Sequence, residues 1–160
     1  MDDRLFRNAM GNFATGITVI TTEVNGEAYG MTANAFVSVS LNPKLVLVSI
    51  DHRANMLGQI RQADKFSVSL LMSNQQDVSK RFAGQLKENT PYEFDQFKGM
   101  PVVKGALANI SCTVYKEVEV GDHTLFIGEV TDLRLNEGDP LLFFQGKYRE
   151  LETAQQVVEL

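Results

Sequence analysis

Two long stretches of alternating apolar and polar residues, joined by a short turn, constrain the fold of this chain most strongly. Residues 106–120 keep Ile110 and Cys112 in phase with the valines that follow, and residues 124–135 return after the turn Gly121-Asp-His. Because successive strand side chains point to opposite faces, this pattern predicts an antiparallel hairpin with one buried face. Many further short strands and few helices favour a mainly β fold, an antiparallel barrel with Greek-key connections and a few flanking α-helices.

Shorter strands are predicted before this hairpin and after it. β-Branched residues fill 17–24, Asn25-Gly26 is a strong hairpin turn, and residues 27–31 return. Residues 84–99 are polar, and we expect them to form a long loop over the surface. The other expected strands cover 36–41, 45–50, 66–71 and 141–144.

Three helices are predicted from apolar residues at helical spacing, over 2–13, over 53–62 and from Ser73 or Asn74 to Phe82. Asp2 or Asp3 is expected to cap the first helix. One face of the first helix is expected to point inward, and it carries Leu5, Phe6, Ala9, Met10 and Phe13.

Composition limits the class of protein. The chain has 160 residues, 44% of them apolar, which fits one soluble domain at 1–151 followed by a tail at 152–160. A net charge of −5 argues against nucleic acid as a partner, because phosphates need a basic surface. The longest apolar run is too short for a bilayer and no signal segment opens the chain, so we expect no membrane partner. With the single Cys112, this indicates a cytoplasmic location.

Several chemistries lack their sequence signature. No Cys or His pair has metal-ligand spacing, so no metal is predicted. The glycines form neither a Walker loop nor G-x-G-x-x-G, and no motif of acyl transfer occurs. Any nucleotide must therefore be held in another way.

The stretch 30–51 favours a ligand held by backbone. Its opening, GMTANA, is built of small residues that leave room for a planar molecule against the main chain. Ser38 and Ser40 are expected to share one face of the strand 36–41. Buried hydroxyls need partners, and a ligand is one candidate; a solvated strand face is the alternative. The polar groups in question belong to Thr32, Asn34, Ser38, Ser40 and Ser49.

Four other places could carry function, each with a plainer alternative. His123 either shapes the hairpin turn or donates a hydrogen bond to a substrate. The turn after Asp51, with Arg53, is either a phosphate site at a helix start or an ordinary surface turn. Lys80 and Arg81 form a cationic corner or simply complement a helix dipole. Residues 12–16 either stop a helix or line a site.

Taken together, four blocks resemble a known family. They are FRNAMGNFATGITVITT at 6–22, GMTANAFVSVSLNPKLVLV at 30–48, FAG at 82–84 and GDHTLFIGEV at 121–130. In this order and spacing, they are similar to the flavin reductase component of two-component aromatic monooxygenases. The resemblance runs from Asp2 to about Tyr148. It implies a split β-barrel that binds FMN or FAD and works as a homodimer with sites near the interface.

The resemblance also implies site residues. His123 would act in catalysis and, with the 12–16 turn, line the nicotinamide side. Where many relatives carry a hydroxyl residue after the arginine of the 53–56 turn, this chain has Ala54. The implied flavin contacts are Thr32, Ala33, Asn34, Ala35, Ser38, Val39, Ser40, Ser49, Asp51, Arg53, Ala54, Asn55, Met56, Lys80, Phe82 and Ala83. The implied nicotinamide contacts are Asn12, Phe13, Thr15, Gly16, His123 and Tyr148.

The implied function is hydride transfer from NAD(P)H to FAD or FMN, with reduced flavin passed to a separate oxygenase that hydroxylates phenol or 4-hydroxyphenylacetate-type aromatics. NADH is preferred over NADPH because the nicotinamide-side segments hold little arginine for a 2′-phosphate. The resemblance favours FAD over FMN. A flavin-binding redox sensor or store without turnover is the main alternative, followed by a pyridoxine-phosphate-type oxidase and a β-barrel interaction domain.

Overall fold

The computed structural model describes residues 1–152, and antiparallel strands make up about half of it. The predicted tail at 152–160 therefore lies outside the described residues from 153 onward. The helices are α1 Asp3–Gly11, α2 Asn55–Ala63 and α3 Gln76–Phe82, with a 3₁₀ turn at Ser73–Gln75 before α3. The strands are β1 Thr15–Gly16, β2 Thr18–Val24, β3 Glu27–Ala33, β4 Phe36–Leu41, β5 Lys44–Asp51, β6 Lys65–Leu70, β7 Asp95–Phe97, β8 Met100–Val102, β9 Ala108–Val120, β10 His123–Leu135, β11 Leu142–Phe144 and β12 Lys147–Arg149.

Seven strands form the main sheet in the order β3-β2-β6-β9-β10-β5-β4, antiparallel throughout. The predicted β9–β10 hairpin is confirmed, with His123 opposite Val120 and Leu135 opposite Ala108. The predicted hairpin at Asn25-Gly26 is confirmed as well, since both residues have positive φ, 52° and 80°. Two small sheets, β1-β11-β12 and β7-β8, complete the strands of the described part.

One apolar core receives side chains from all seven strands of the main sheet. Ile20 of β2, Phe66 of β6 and Phe126 of β10 are fully buried in it. Met56 and Ile60 of α2 pack into the same core. Because every strand contributes to a single core, the sheet curls around it, and the predicted mainly β, antiparallel barrel with flanking helices is confirmed.

A second, smaller core lies beside the barrel. Ile17, Leu71 and Leu141 are buried in it, and Phe143 and Tyr148 pack against it. These residues come from the segments around β1, β6 and the β11–β12 hairpin. The small three-stranded sheet is thereby fixed to the barrel through apolar contacts.

The expected orientation of the first helix is wrong. Asp2 caps α1 as predicted, since its side chain accepts a hydrogen bond of 3.1 Å from the Arg4 N–H. The face with the five apolar residues points outward, however, and no residue of α1 is buried. An apolar stripe shows that a surface will be covered but not which surface covers it. Within one chain, nothing in the described residues buries this face.

Three finer predictions also need correction. A β-bulge in β4 opposes Ser38 and Ser40 to consecutive residues of β5, so the two serines do not share one face of a regular strand. Neither Ser73 nor Asn74 caps α3; instead the Gln75 side chain accepts from the Met72 N–H at 2.9 Å in the preceding turn. The loop predicted at 84–99 ends early, because β7 begins at Asp95. No helix of the described residues has the length and apolar character needed to cross a membrane.

Candidate functional site

A cleft of about 800 Å³ opens between α1, β1 and the connection from β3 to β4. Phe13, Thr15 and Gly16 line it together with Asn34 and Ala35. Predicted nicotinamide residues and predicted flavin residues therefore line one opening. Most of the remaining lining is apolar and comes from Met10, Ala14, Ile17, Thr18, Phe36, Val37, Leu70, Leu71, Leu107, Pro140 and Leu141.

A smaller pocket of about 150 Å³, here called the inner recess, continues from the cleft and shares Ile17 and Asn34 with it. Its predicted members are Thr32, Ala33, Asn34, Ala83 and Tyr148. Sequence reasoning missed four further members, because nothing in their local sequence distinguishes them from ordinary helix, loop and strand residues. These are Ile17, Ser79, Gln85 and Phe143.

Hydrogen bonds fix the walls of the inner recess. The Thr32 hydroxyl donates to the Ser79 carbonyl at 2.7 Å, which ties the end of β3 to α3. The Ser79 hydroxyl lies 3.0 Å from the Tyr148 hydroxyl, which ties α3 to β12. The Lys80 Nζ lies 5.8 Å from the centroid of the Tyr148 ring, within cation–π range. Lys80, a predicted phosphate contact, therefore sits beside this recess.

A third pocket, the outer recess, has a volume of about 420 Å³ and lies where α2 begins. Its lining includes the predicted run 53–56 together with Tyr29, Gly30 and Gln59. Ala54 is the N-cap of α2 and makes no side-chain cap, so the first N–H groups of the helix face outward. This agrees with the missing hydroxyl noted in the sequence.

Arg53, the predicted cation of the outer recess, is held by Asp51. Its guanidinium donates to both carboxylate oxygens of Asp51, at 3.0 and 2.7 Å, and its backbone N–H donates to Asp51 at 2.8 Å. These hydrogen bonds lower the pKa of Asp51 far below its usual range. The Arg53 side chain is 87% exposed, so it can swing toward an anionic ligand.

His123 lies in a fourth pocket of about 460 Å³, together with Asp51, Arg53, Asp122 and the start of α1. Its Nδ1 lies 2.7 Å from a carboxylate oxygen of Asp122, and this contact lowers the pKa of Asp122. The structure thus places His123 apart from Thr15, Gly16 and Tyr148. A groove along α1, lined by Phe6, Arg7, Met10 and Phe13, connects the His123 pocket with the cleft.

The remaining predicted residues line none of these pockets. Ser38, Val39 and Ser40 lie along β4, at an edge of the main sheet. The Ser49 N–H donates to the Ala35 carbonyl at 3.2 Å, and the Asn12 side chain accepts from Gln145 at 2.6 Å. Phe82 packs its ring against aromatic residues of the following loop. In the described residues, no three His, Cys, Asp or Glu side chains form a group that could hold a metal ion.

Comparison with known proteins defines the class. A family model described as a flavin reductase like domain matches residues 10–152, and the chain belongs to this family. An NADH-dependent flavin reductase of Rhodococcus sp. is 45% identical over 149 residues, covering 91% of this chain and 85% of the relative. The reductase component of 4-hydroxyphenylacetate 3-monooxygenase from Thermus thermophilus is 41% identical over 147 residues, covering 91% and 95%.

Solved structures agree with this assignment. The flavin reductase PheA2 in its native state superposes with a TM-score of 0.93 and 62% identity, covering 96% of this chain and 100% of that one. The resemblance found in the four sequence blocks is therefore confirmed, as are the split-barrel fold and the class of flavin reductases.

One hydroxyl group of the residues that line the cleft lacks a hydrogen-bond partner within the described part of the chain. The Thr15 Oγ is buried and has no hydrogen-bond partner among the described residues. A buried hydroxyl without a partner is unfavourable, and because this oxygen has almost no accessible surface, a polar atom of a ligand would satisfy it once the Thr15 side chain turns toward the cleft. An apolar cleft with a few polar groups at its rim suits a planar aromatic ring such as a flavin or a nicotinamide.

Replacing this hydroxyl tests that interpretation. In Thr15→Val, we expect stability in urea unfolding to stay the same or rise, because no protein hydrogen bond is lost, while the KM for NADH increases. The matched control is Thr18→Val, whose hydroxyl donates to the Ala33 carbonyl at 2.7 Å. This control should lose about 1 kcal/mol of stability. An equal loss of stability in Thr15→Val and Thr18→Val would contradict the interpretation that the Thr15 hydroxyl is free to bind a ligand.

Proposed function

We propose that this chain transfers a hydride from NADH to FAD or FMN and releases the reduced flavin to a separate oxygenase. The family assignment supports this proposal, and so does the cleft, whose lining includes both predicted nicotinamide and predicted flavin residues. The bound cofactors supply the redox chemistry themselves: the nicotinamide gives up a hydride and the flavin accepts it. The protein has to bind and orient the two rings and exclude water.

The flavin fits the backbone of the β3–β4 connection. Asn34 and Ala35 would border its ring in the cleft, and Thr32 and Ala33 its side chain in the inner recess. The N–H groups at the start of α2 and the mobile head of Arg53 would meet negative charge in the outer recess. Lys80 would provide a second positive charge near Tyr148.

The nicotinamide would enter from the α1 side. Phe13, Thr15 and Gly16 would border its ring, and no arginine or lysine of the described residues lines this cleft. The relatives named as NADH-dependent flavin or FAD reductases support NADH over NADPH. Asp122 would hold His123 through Nδ1, leaving Nε2 to donate to or accept from a substrate amide.

The oxygenase remains a separate protein in this proposal. The Thermus relative is named as the reductase component of 4-hydroxyphenylacetate 3-monooxygenase, which supports phenol or 4-hydroxyphenylacetate-type aromatics as the eventual substrates. The chain itself would not touch the phenolic compound. We also propose the cytoplasm as its compartment, in keeping with the single, buried Cys112, whose pKa burial raises to about 12.

A homodimer is the third part of the proposal. Leu5, Phe6 and Met10 of α1, and Phe13 just beyond its end, are between 53% and 78% exposed, an unusual amount of apolar surface for one short helix and its C-terminal end. The edge strand β4 adds Val37, Val39 and Leu41, which are also exposed. Both surfaces reach the cleft, so a second copy covering them would complete its wall. The five apolar residues of α1 would then be buried, as the sequence pattern requires.

The proposed reaction can be tested directly. Purified protein should oxidise NADH faster than NADPH when FAD or FMN is added, as followed by the loss of absorbance of the reduced nicotinamide at about 340 nm. It should hydroxylate neither phenol nor 4-hydroxyphenylacetate unless an oxygenase is present. Flavin binding without NADH turnover would instead support a redox sensor or store, and absence of flavin binding would refute the proposal.

His123 can be tested against a second histidine. His123→Ala should lower kcat by about tenfold or more with little change in flavin Kd, because it positions a substrate group rather than the flavin. The control is His52→Ala, because the His52 Nε2 lies 3.1 Å from the hydroxyl of the buried Thr124 and this contact lies within the protein. Equal losses of turnover and flavin binding in His123→Ala would place His123 in the flavin site instead.

The dimer can be tested by adding one charge to either face of α1. Met10→Asp should shift the protein toward monomer in sedimentation velocity, because it places a carboxylate in the proposed interface. Asn8→Asp adds the same charge on the polar face of the same helix and should leave the dimer intact. A monomeric wild type, or a dimer unaffected by Met10→Asp, would rule out this interface.

A further inference from the structure

Residues 84–94 follow α3 and are here called the strap. Arg81, in the last turn of α3, pairs with the Glu88 carboxylate and donates to the Thr90 carbonyl. Its guanidinium also lies 5.2 Å from the centroid of the Tyr92 ring. Only 18% of the Arg81 side chain is exposed. This arginine is therefore engaged on three sides by the strap.

Aromatic packing fixes the far end of the strap. The Phe82 ring lies 5.0 Å from the Tyr92 ring and 5.4 Å from the Phe94 ring, measured between centroids. The other side of the Phe82 ring rests on Gly30 of β3, where an added Cβ would come within 2.6 Å of it. The absence of a side chain at Gly30 thus lets the aromatic group pack directly on β3.

The near end of the strap forms part of the inner recess. Gly84 has a φ of +72°, and the Gln85 N–H donates to the Lys80 carbonyl at 2.9 Å, which turns the chain away from α3. Gln85 then lines the recess together with Ala83, Thr32 and Tyr148. The strap runs on from Gln85 directly to Glu88 and Thr90, the residues that Arg81 contacts.

The neighbouring cation has different surroundings. Lys80 lies over the Tyr148 ring, and the hydroxyl of Tyr148 is in turn within hydrogen-bond distance of Ser79. Tyr148 and Ser79 both line the inner recess, whereas the contacts of Arg81 lie in the strap. Of these two adjacent basic residues in α3, Lys80 therefore contacts a residue of the inner recess, and Arg81 contacts residues of the strap.

We propose that Arg81 is a positioning residue, which holds the strap in place as one wall of the inner recess, in contrast to Lys80, which the proposed function already gives as a cation for the flavin. The proposal rests on the proposed function, because it takes the ligand of the recess to be a flavin. Lysine cannot replace Arg81, since it lacks the planar fork that serves Glu88 and Thr90 together.

Riboflavin and FMN separate the two roles, because riboflavin has no phosphate. The Kd of each is measured by quenching of flavin fluorescence. Arg81→Lys and Glu88→Gln should weaken both ligands by the same factor, about threefold to tenfold, and the double variant should be no worse than Arg81→Lys alone. Lys80→Met should weaken FMN and leave riboflavin unchanged. Loss of FMN binding alone in Arg81→Lys, with Glu88→Gln behaving as wild type, would overturn the proposal.

Trypsin provides a readout that needs no flavin. Lys87 is exposed in the strap, and cleavage after it should become several times faster in Arg81→Lys, with Lys116 in β9 as the internal reference. Glu88→Gln is not used for this readout, because residue 88 directly follows the cleaved bond and its charge itself affects trypsin. Unchanged cleavage would overturn the proposal, as would faster cleavage with unchanged flavin affinity. A wild type that binds neither flavin would refute the proposed function, while cleavage would still report whether Arg81 holds the strap.

Discussion

The candidate site depends on the fixed conformation of the corner between β3 and β4. Three consecutive carbonyls of this corner accept hydrogen bonds from within the protein: Ala33 from the Thr18 hydroxyl at 2.7 Å, Asn34 from the Phe36 N–H at 3.0 Å and Ala35 from the Ser49 N–H at 3.2 Å. Asn34 lines the cleft, the inner recess and the groove along α1. A backbone held in this way is ordered before a ligand arrives, so binding loses little conformational entropy.

An acidic protein that binds anionic nucleotides has to use its few cations economically. Arg53 is held by Asp51 and Arg81 by Glu88, so two of the basic groups near the site are neutralised by carboxylates in the free protein. Exposed pairs of this kind are weak and can be exchanged for a phosphate, whereas a half-buried arginine with further contacts is held more firmly. Exposure therefore distinguishes Arg53, a cation available to a ligand, from Arg81, a structural one.

Local pattern was enough to predict most strands but not how surfaces meet. The β9–β10 hairpin and the Asn25-Gly26 turn were predicted because alternation and turn residues are properties of neighbouring residues. Ser79 was missed because its contact with Thr32 joins residues 47 positions apart, and no helical pattern announces it. The orientation of α1 was wrong for a related reason: its apolar face is real, but none of the described residues covers it.

The groove along α1 links assembly to substrate binding. The groove shares Phe6 and Arg7 with the His123 pocket, and it shares Met10 and Phe13 with the cleft. Its apolar residues Phe6, Met10 and Phe13 also belong to the proposed dimer surface. A second copy that covers α1 would then also close the path between His123 and Thr15. If the second copy completes the wall of the cleft, a bound dinucleotide gains contacts in the dimer that the monomer lacks, so dinucleotide binding and dimer formation should stabilise one another. The effect is equal in both directions, because linkage between two sites is reciprocal.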